Sequence, residues 1–516
     1  MDVPWPGWFS KADVRKTRMI PFQSLPDGGL IAIIDIGSNS IRLVVYQGIS
    51  RAPVPIFNEK AVCALGEGLE GAGRLNPKGV EQAMLALSRF VRLARSMRVA
   101  ALDVVATAAV RDAADAPDFL AAVHAHCGIE VTVLSGEEEA RLAAQGVLCG
   151  VPDADGTVAD LGGGSLELIA VDEGRMSGTF ATLPLGVLRL TEASGGDRER
   201  AQTLIDRHFS KVSWLQGRTG RPLYAVGGAW RALARLFVAQ TGHSLQVLDN
   251  YALDCADALR LLELVSRQSR KSIERIPGFS RKRLPHLPMA ALALERILFG
   301  LKPSRLIFSV YGMREGRFFR HLPEELKMQD PLISACTALA ATMGRFPVHC
   351  GEISAWMSPL IGEETSHQAR LRHAATLLSD VFWGEHPDYR AEQAFLRVFR
   401  LPFMGLGHQD RAFLALAVYY RYERDFQAPQ VASALDLLPE EEQSRALILG
   451  LALRLAHAIS GGVPGWVGRT RLNIEDNALI LEMPADDAVY DGDFSERRND
   501  RLAKAAGLSH FESRRI

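Results

Sequence analysis

The sequence has few of the features that mark small cross-linked proteins or membrane-embedded proteins. Six cysteines occur in 516 residues and none form a C-x-x-C pair, which favours reduced thiols in the cytoplasm over a disulfide scaffold or a zinc ribbon. No apolar run approaches the length of a membrane span, so stable membrane insertion is not expected. The formal net charge is −1, so no overall field attracts a polyanion and any anion site must be local.

Length and pattern predict several domains. Residues 1–29 lack the apolar core of a signal peptide and predict a disordered leader, with contact to a membrane surface as the alternative. The rest of the chain is too long for one hydrophobic core. Strand and helix patterns alternate first and helical patterns dominate later. We therefore expect domains over 30–152, 153–325 and 326–464, and a small mixed segment over 465–516.

The patterns predict strands over 130–134 and 179–190 and a hairpin over 471–483. They also predict a helix that Asn76 caps and that has Pro77 at its first position.

Two stretches of the first half repeat one pattern, at 31–45 and 157–169. Each has an apolar run, an Asp, an aliphatic residue, a four-residue turn of small residues, and then alternating apolar residues. This pattern predicts two β-hairpins whose turns present backbone N–H groups to phosphate oxygens, with plain solvated turns as the alternative. The candidate phosphate-binding residues are Gly37, Ser38, Asn39 and Ser40 in the first turn, and Gly162, Gly163, Gly164 and Ser165 in the second.

Acidic residues beside these turns are candidate metal ligands. Asp35 and Asp160 precede the two turns, and Glu167 follows the second turn on the outgoing strand. Magnesium prefers one or two carboxylates together with water and substrate phosphate oxygens, which fits these positions. The alternatives are a solvated Asp in a hairpin and an exposed Glu on a strand.

Five motifs, in chain order, resemble those of the exopolyphosphatase and guanosine pentaphosphate phosphatase family, over roughly residues 30–320. They are Asp35-x-Gly-Ser-Asn-Ser, Ala106-Thr107-x-Ala-x-Arg111, Ser135-Gly-x-Glu-Glu139-Ala-Arg141, Asp160-x-Gly-Gly-Gly-Ser-x-Glu167 and Tyr311-Gly-x-Arg-Glu-Gly316. The resemblance implies an α/β N-terminal half with two ribonuclease-H-like domains of the actin, Hsp70 and sugar-kinase superfamily around a cleft. It also implies a mostly helical C-terminal half that resembles an HD domain.

The resemblance also implies a catalytic base. In this family the second Glu of the Ser-Gly-x-Glu-Glu motif activates the attacking water, and that position is Glu139 here. The alternative for Glu139 is an interaction with the positive end of a helix. Arg141 lies nearby and is a candidate for orienting Glu139.

Arginine and glycine residues elsewhere are further candidates. Arg111 follows a predicted strand, and its guanidinium can clamp the transferred phosphoryl group, with a surface salt bridge as the alternative. Arg42 and the Gly227-Gly228 turn are weaker candidates for ligand contact. The basic stretch 267–283 could follow a long polyanion, although most such runs are solvated surfaces.

The histidines of the C-terminal half do not support an active metal site. None of the 13 histidines is followed by Asp, so the His-Asp pair that defines HD hydrolases is missing. We therefore expect a degenerate HD-like domain that serves dimerisation or the sensing of substrate length.

These observations predict a magnesium-dependent hydrolase, with manganese as an alternative metal, that releases terminal orthophosphate from inorganic polyphosphate. The closest alternative is conversion of guanosine pentaphosphate to guanosine tetraphosphate, nucleotides of the stringent response, or both activities in one enzyme. A sugar kinase and an Hsp70-like nucleotide-gated module are more distant alternatives. We expect a cytoplasmic homodimer that does not bind nucleic acid.

Overall fold

A computed structural model describes residues 29–267, 286–346, 349–423, 428–485, 488–490 and 496–516. The expected leader and nearly all of the basic stretch 267–283 lie outside these described residues. The described chain divides into two compact units. The first holds the residues up to Ala234 and Ala252–Lys327, and the second holds Arg235–Tyr251 and the residues from Met328 onward.

Two mixed β-sheets form the framework of the first unit. The first sheet has the strand order β3-β2-β1-β4-β5, and the second has the order β10-β11-β9-β6-β7-β8. The strands are β1 (Leu30–Ile36), β2 (Ser40–Gln47), β3 (Pro55–Val62), β4 (Ala101–Ala106), β5 (Thr132–Val133), β6 (Gly156–Leu161), β7 (Leu166–Asp172), β8 (Arg175–Leu183), β9 (Leu223–Val226), β10 (Tyr251–Asp254) and β11 (Arg305–Phe308). In both sheets a hairpin pairs in parallel with a later strand, β1 with β4 and β6 with β9.

Helices cover both sheets. They are α1 (Leu69–Ala72), α2 (Pro77–Ser96), α3 (Ala108–Asp112), α4 (Ala116–Cys127), α5 (Gly136–Gly150), α6 (Val187–Ser194), α7 (Arg198–Phe209), α8 (Gly228–Gln240), α9 (Cys255–Ser266), α10 (Leu287–Leu301), α11 (Met313–Arg320) and α12 (Glu324–Lys327), with a 3₁₀ turn at Ser213–Arg218. We call the first sheet with α1–α4 and α11 the first lobe, and the second sheet with α5–α10 the second lobe.

Helix α5 packs on the second sheet and helix α11 packs on the first sheet, which is the reverse of their order in the chain. Ala140 and Val147 of α5 join the core of the second sheet, although α5 follows the first sheet in the chain. Phe318 of α11 packs against Ile31 and Ile33 of the first sheet, although α11 follows the second sheet. The two helices therefore cross between the sheets and tie the lobes together.

The second unit is mostly helical. Its helices are α13 (Pro331–Met343), α14 (Cys350–Trp356), α15 (Ser358–Ile361), α16 (Ser366–Leu378), α17 (Arg390–Arg400), α18 (His408–Tyr422), α19 (Ala432–Leu435), α20 (Glu440–Ser460) and α21 (Glu496–Ala505), with 3₁₀ turns at Pro429–Val431, Val467–Arg469 and Ala488–Tyr490. Helix α18 is buried along nearly its whole length and packs against α17 and α20. A small sheet of β12 (Arg471–Glu475), β13 (Ala478–Met483) and β14 (His510–Arg515) completes it, with β13 and β14 parallel.

The structure confirms the two predicted hairpins and the predicted hairpin of β12 and β13. The predicted strand over 179–190 is wrong in its second half, because β8 ends at Leu183 and α6 begins at Val187. Pro184 has no N–H to continue the sheet, and the N–H of Val187 donates to Gly162 instead. The predicted strand over 130–134 shortens to Thr132–Val133.

The first turn of α2 also differs from the sequence prediction. Pro77 occupies the first helical position as predicted, but Asn76 makes no side-chain cap. Its amide donates to the carbonyl oxygen of Ala64 at 3.1 Å, so it fixes the preceding loop and not the helix end. The sequence analysis did not predict β10, α9, α10 or β14. Within the described residues, no helix is both long enough and apolar enough to cross a membrane.

Candidate active site

The two repeated hairpins have the same backbone geometry. The N–H of Gly37 donates to the carbonyl oxygen of Ser40 at 3.1 Å, and the N–H of Gly162 donates to that of Ser165 at 3.0 Å. Each turn therefore closes four residues between two antiparallel strands. The sequence repeat corresponds to a repeat in structure, and the two turns offer the same backbone donors.

The two turns face one another at close range. A Cβ atom added to Gly163 would lie 2.9 Å from the Cβ of Ser38, and one added to Gly164 would lie 3.1 Å from the Oγ of Ser38. Any larger residue at these positions would push the turns apart. The consecutive glycines thus allow the backbones of the two lobes to approach one another.

Neighbouring backbone fixes the carbonyl groups of both turns. The carbonyl oxygen of Asn39 accepts from the N–H groups of Cys63 and Ala64 at 3.1 and 3.0 Å, just after β3. The carbonyl oxygen of Gly163 accepts from Leu188 at 2.9 Å, in the first turn of α6. Because these carbonyl groups are engaged by the chain, the turns are preorganised to direct N–H groups toward an anion.

A cavity of about 210 Å³ lies beside the two turns. Both turns line it, as do three acidic residues, four arginine or lysine residues and the loops that begin α8 and α11. The lining side chains with charge or strong polarity are Asp35, Ser38, Asn39, Ser40, Arg42, Lys60, Thr107, Glu139, Asp160, Ser165, Arg231, His286 and Arg314. Of the predicted residues, Glu167 and Arg111 are not part of this lining. Arg111 bonds to Glu139, which does line the cavity, so its position differs from the predicted clamp on the transferred phosphoryl group.

The acidic residues of the cavity have raised pKa values. Burial raises the pKa of Asp160 to about 6, and the charge of Asp35 adds to this effect against the opposing charge of Arg231. Burial likewise raises the pKa of Asp35, which the charge of Arg314 opposes. These carboxylates share one poorly hydrated space, so each disfavours ionisation of the other.

Glu139 occupies the first turn of α5, where a capping box fixes its position. Ser135 accepts from the N–H of Glu138, and the Glu138 side chain accepts from the N–H of Ser135 at 3.0 Å. Glu139 turns inward, where its Oε2 accepts from Nη1 of Arg111 at 2.9 Å. Burial raises the pKa of Glu139 to about 7, although the hydrogen bond and the charge of Arg111 lower it.

Glu167 lies directly opposite Asp160 across the second hairpin. Its side chain is buried, and within the described residues its Oε1 atom has no hydrogen-bond partner. Burial, followed by the charges of Glu139 and Asp160, raises its pKa well above the ordinary value. The exposed strand residue that was the alternative for Glu167 is therefore excluded.

Arg141 does not contact Glu139, which overturns its predicted role. Its Nη2 pairs with Oε1 of Glu137 at 2.6 Å, and both side chains are about half exposed. The two residues are four apart on α5, so they share a face that points away from the cavity. Arg42 lines the cavity, and its Nη1 donates to Asn58 at 2.9 Å.

Arg231 was not among the site residues predicted from the sequence. This side chain enters the cavity from the first turn of α8, and its Nη1 donates to the carbonyl oxygen of Val310 at 3.1 Å. Burial and then the charge of Arg314 lower its pKa to about 10. Gly227, with φ of 113°, precedes this helix and also lines the cavity. An arginine three residues after Gly228 was the signal that could have identified it.

The donor set fits a hard divalent cation. Within the described ranges, no group of three or more His, Cys, Asp and Glu side chains could hold a metal by itself. Asp35 and Asp160 line the cavity. Glu167, whose Oε1 has no hydrogen-bond partner among the described residues, lies opposite Asp160 across the second hairpin. Magnesium bound by one or two carboxylates takes its other ligands from water and phosphate oxygens, which matches this sparse set.

Comparison with known proteins identifies the family. Residues 44–325 match the model of the Ppx/GppA phosphatase family, and residues 332–511 match the model of the exopolyphosphatase C-terminal domain. The chain belongs to the Ppx/GppA phosphatase family. The resemblance inferred from the sequence motifs is therefore confirmed.

Individual relatives match somewhat more than half of the chain. Exopolyphosphatase 1 of Mycobacterium tuberculosis is 29% identical over 308 residues, which cover 57% of this chain and 89% of the relative. The Mycobacterium leprae protein of the same name has the same identity and is covered to 90%. A crystal structure of an exopolyphosphatase from Cytophaga hutchinsonii is 23% identical, with a TM-score of 0.51, over 56% of this chain and 96% of that one. The last likeness shows a shared fold.

Proposed function

We propose that this Ppx/GppA family member is an exopolyphosphatase that releases orthophosphate from the end of inorganic polyphosphate. One observation carries the proposal: two matching glycine-lined turns meet beside a cavity that also holds the buried carboxylate of Glu139. The family models and the names of the curated relatives support the same activity.

The residues of the cavity suit each part of this hydrolysis. The N–H groups of the two turns bind the oxygens of the terminal phosphoryl group. Glu139 accepts a proton from the attacking water, and a pKa of about 7 suits a base that works near neutral pH. Arg111 holds the Glu139 carboxylate in place. Arg231 and Arg314 add positive charge where negative charge develops.

We further propose Mg²⁺ as the metal, with Mn²⁺ as the alternative. Asp35 and Asp160 would hold it, and Glu167 lies opposite Asp160 across the second hairpin. When bound, the ion supplies positive charge between the carboxylates and the phosphate oxygens. The raised pKa values of these acids support the assignment, because crowded carboxylates in a buried space need a counter-charge.

The lining of the cavity favours polyphosphate over guanosine pentaphosphate. Among the described residues that line it, none is Phe, Tyr or Trp, so no such ring is present to stack on a guanine base. The lining instead provides several cations for a chain of phosphates. Guanosine pentaphosphate remains the alternative substrate, because the same cavity could cleave its terminal phosphate.

Measurement of phosphate release from long polyphosphate and from guanosine pentaphosphate, side by side, tests this function. We expect faster release from polyphosphate and a loss of about 10²- to 10⁴-fold in kcat for Glu139→Gln. Glu137→Gln is the matched control, because it alters a neighbouring acid that pairs with Arg141 on the exposed face. Full activity in Glu139→Gln would remove the assignment of the base.

The proposal extends to the fold of the two lobes, the origin of the second unit and the oligomeric state. The strand orders of the two sheets support a ribonuclease-H-like fold for both lobes. The helical second unit supports descent from an HD domain whose His-Asp pair has been lost. We also propose a cytoplasmic homodimer, which light scattering of the purified protein would test by its mass.

A further inference from the structure

One arginine of the second lobe joins two acids of the first lobe. Nε of Arg189, in α6, lies 3.0 Å from Oε2 of Glu70, and its Nη2 donates to Oδ2 of Asp112 at 2.7 Å. A parallel contact lies nearby, where the N–H of Gly68 donates to Oε1 of Glu192 at 2.8 Å. The two lobes are thus held together on the side of the glycine turns.

The chain of ion pairs continues to the proposed base. The second oxygen of Asp112, Oδ1, accepts from Nε of Arg111 at 3.2 Å. Nη1 of Arg111 in turn donates to Oε2 of Glu139 at 2.9 Å and lies 3.3 Å from the carbonyl oxygen of Leu134. Four side chains therefore follow one another, from Arg189 through Asp112 and Arg111 to Glu139.

The path crosses between the lobes twice. Arg189 and Glu139 belong to α6 and α5 of the second lobe, whereas Asp112 and Arg111 belong to α3 of the first lobe. Helix α3 has only five residues and no side-chain cap at its N-terminus. Such a short helix has little intrinsic stability, so contacts at both of its sides decide where Arg111 points.

Arg189 is itself fixed beside the second phosphate turn. Its backbone N–H lies 3.3 Å from the carbonyl oxygen of Gly163, next to the bond from Leu188 to the same oxygen. One residue therefore contacts the turn through its backbone and Asp112 through its side chain. Arg189 therefore moves with the second turn, and a change in the separation of the lobes must alter its contact with Asp112.

Water screens these pairs only partly. The side chains of Arg189, Arg111 and Glu139 are 17%, 21% and 10% exposed, compared with 50% for Arg141 in the solvated pair with Glu137. Pairs that water reaches poorly keep a defined geometry, whereas exposed pairs contribute little. These ion pairs can therefore hold Arg111, and through it Glu139, at a position that depends on α6.

We propose that Arg189 is a positioning residue for catalysis, which acts through Asp112 and Arg111 to hold Glu139 where it can reach the attacking water. This proposal rests on the proposed function, because it needs Glu139 to be the base. Arg189 lies outside the lining of the main cavity, so it acts on the geometry of the base and not on substrate contacts.

The test compares kcat, KM and the thermal unfolding midpoint of Arg189→Gln, Arg189→Lys, Asp112→Asn and the double variant Asp112→Asn with Arg189→Gln. A misplaced base is expected to lower kcat of Arg189→Gln by about 10- to 100-fold, with KM within about twofold of the wild type. Arg189→Lys should recover part of kcat, since an ammonium group keeps the charge but cannot bridge two carboxylates as a guanidinium does. Arg141→Gln is the control with unchanged kcat.

The double variant tests whether the effect passes through Asp112. If both residues act in one chain, the double variant loses no more kcat than the worse single variant. Additive losses, a wild-type kcat in Arg189→Gln, or a change confined to KM would each overturn the proposal. An active Glu139→Gln would instead overturn the proposed base, so the two failures are told apart.

Discussion

Three successive glutamates at the start of α5 have three different environments. Glu137 pairs with Arg141 on the exposed face, Glu138 closes the capping box with Ser135, and Glu139 is buried beside the cavity. Successive helical positions differ by about 100° around the axis, so neighbours in sequence face different surroundings. The chemistry of Glu139 follows from its direction, because burial raises its pKa and Arg111 opposes that effect.

This balance predicts the pH dependence of catalysis. Glu139 accepts a proton only when it is ionised, so kcat should fall as the pH decreases through about 7. Arg111 lowers the pKa of Glu139, so Arg111→Gln should move this acid limb to higher pH. The pH profiles of kcat for both proteins check the prediction. An acid limb at the same pH in both would show that another group controls the profile.

The surroundings of Arg231 predict that this side chain contributes to substrate binding. Burial lowers its pKa to about 10, and its helix places it near the positive end of the α8 dipole. A cation in such a place is stabilised when a polyanion binds. We expect Arg231→Gln to weaken substrate binding by about 1.5–3 kcal/mol, the usual value for a hydrogen bond to a charged group, and to raise KM accordingly.

Arg235→Gln provides the matched control for Arg231, because Arg235 is exposed on the same helix. Its KM for polyphosphate should equal that of the wild type. Equal KM values for both variants would mean that Arg231 does not contact the substrate.

Some of these site residues could be predicted from the sequence, whereas others could not. The turns and Asp160 could be predicted, since a local repeat places them and the cavity does receive them. The partner of Arg141 could also have been predicted, because Glu137 lies four residues away on the helix whereas Glu139 lies two away and faces another direction. Arg231 has no repeated counterpart, and only the folded second sheet brings it near Asp160.

At the scale of elements, the crossing of α5 and α11 positions the site. Glu139 lies in the first turn of α5, and Arg314 lies in the first turn of α11. A Cβ added to Gly316 would overlap the carbonyl oxygen of Leu142, and one added to Gly146 would overlap that of Gly312. The helices therefore touch backbone to backbone, and their separation sets the distance between the base and the arginine.

This contact predicts the effect of one added methyl group. Gly316→Ala must force the two helices apart, and overpacking of this kind destabilises a protein by about 1–3 kcal/mol. We expect a lower thermal unfolding midpoint together with a lower kcat. Gly300→Ala is the control, because Gly300 is also helical and its added Cβ would meet nothing within 4 Å. A normal midpoint in Gly316→Ala would show that the helices separate at no cost.

Elements formed by neighbouring residues were the most predictable ones. The hairpins at both glycine turns were predicted because the strands and the turn lie within one short stretch. Strand β14 was not, since it pairs in parallel with β13 from about thirty residues away. The end of β8 at Leu183 was not predicted, because the N–H groups at the start of α6 donate to carbonyl groups of the second glycine turn. The local sequence pattern around Leu183 does not contain that contact.

At the scale of the whole molecule, the buried acids oppose folding at neutral pH. The folded pKa values are about 7 for Glu139 and about 6 for Asp160, above the ordinary values of 4.5 and 3.8. Between these limits the folded state binds more protons than the unfolded state. The contribution of these two acids to stability therefore falls as the pH rises from about 4 to about 7 and then levels off. Ionisation of these buried acids therefore destabilises the folded protein.

The proposed metal should offset this loss of stability. Without metal, these acids should lower the thermal unfolding midpoint more at pH 8 than at pH 5. Mg²⁺ binds ionised carboxylates in the folded state, so it should raise the midpoint more at pH 8 than at pH 5. Asp160→Asn should reduce both the pH effect and the Mg²⁺ effect, while Asp153→Asn, outside the cavity, should change neither. An equal Mg²⁺ shift at both pH values would place the ion somewhere other than these acids.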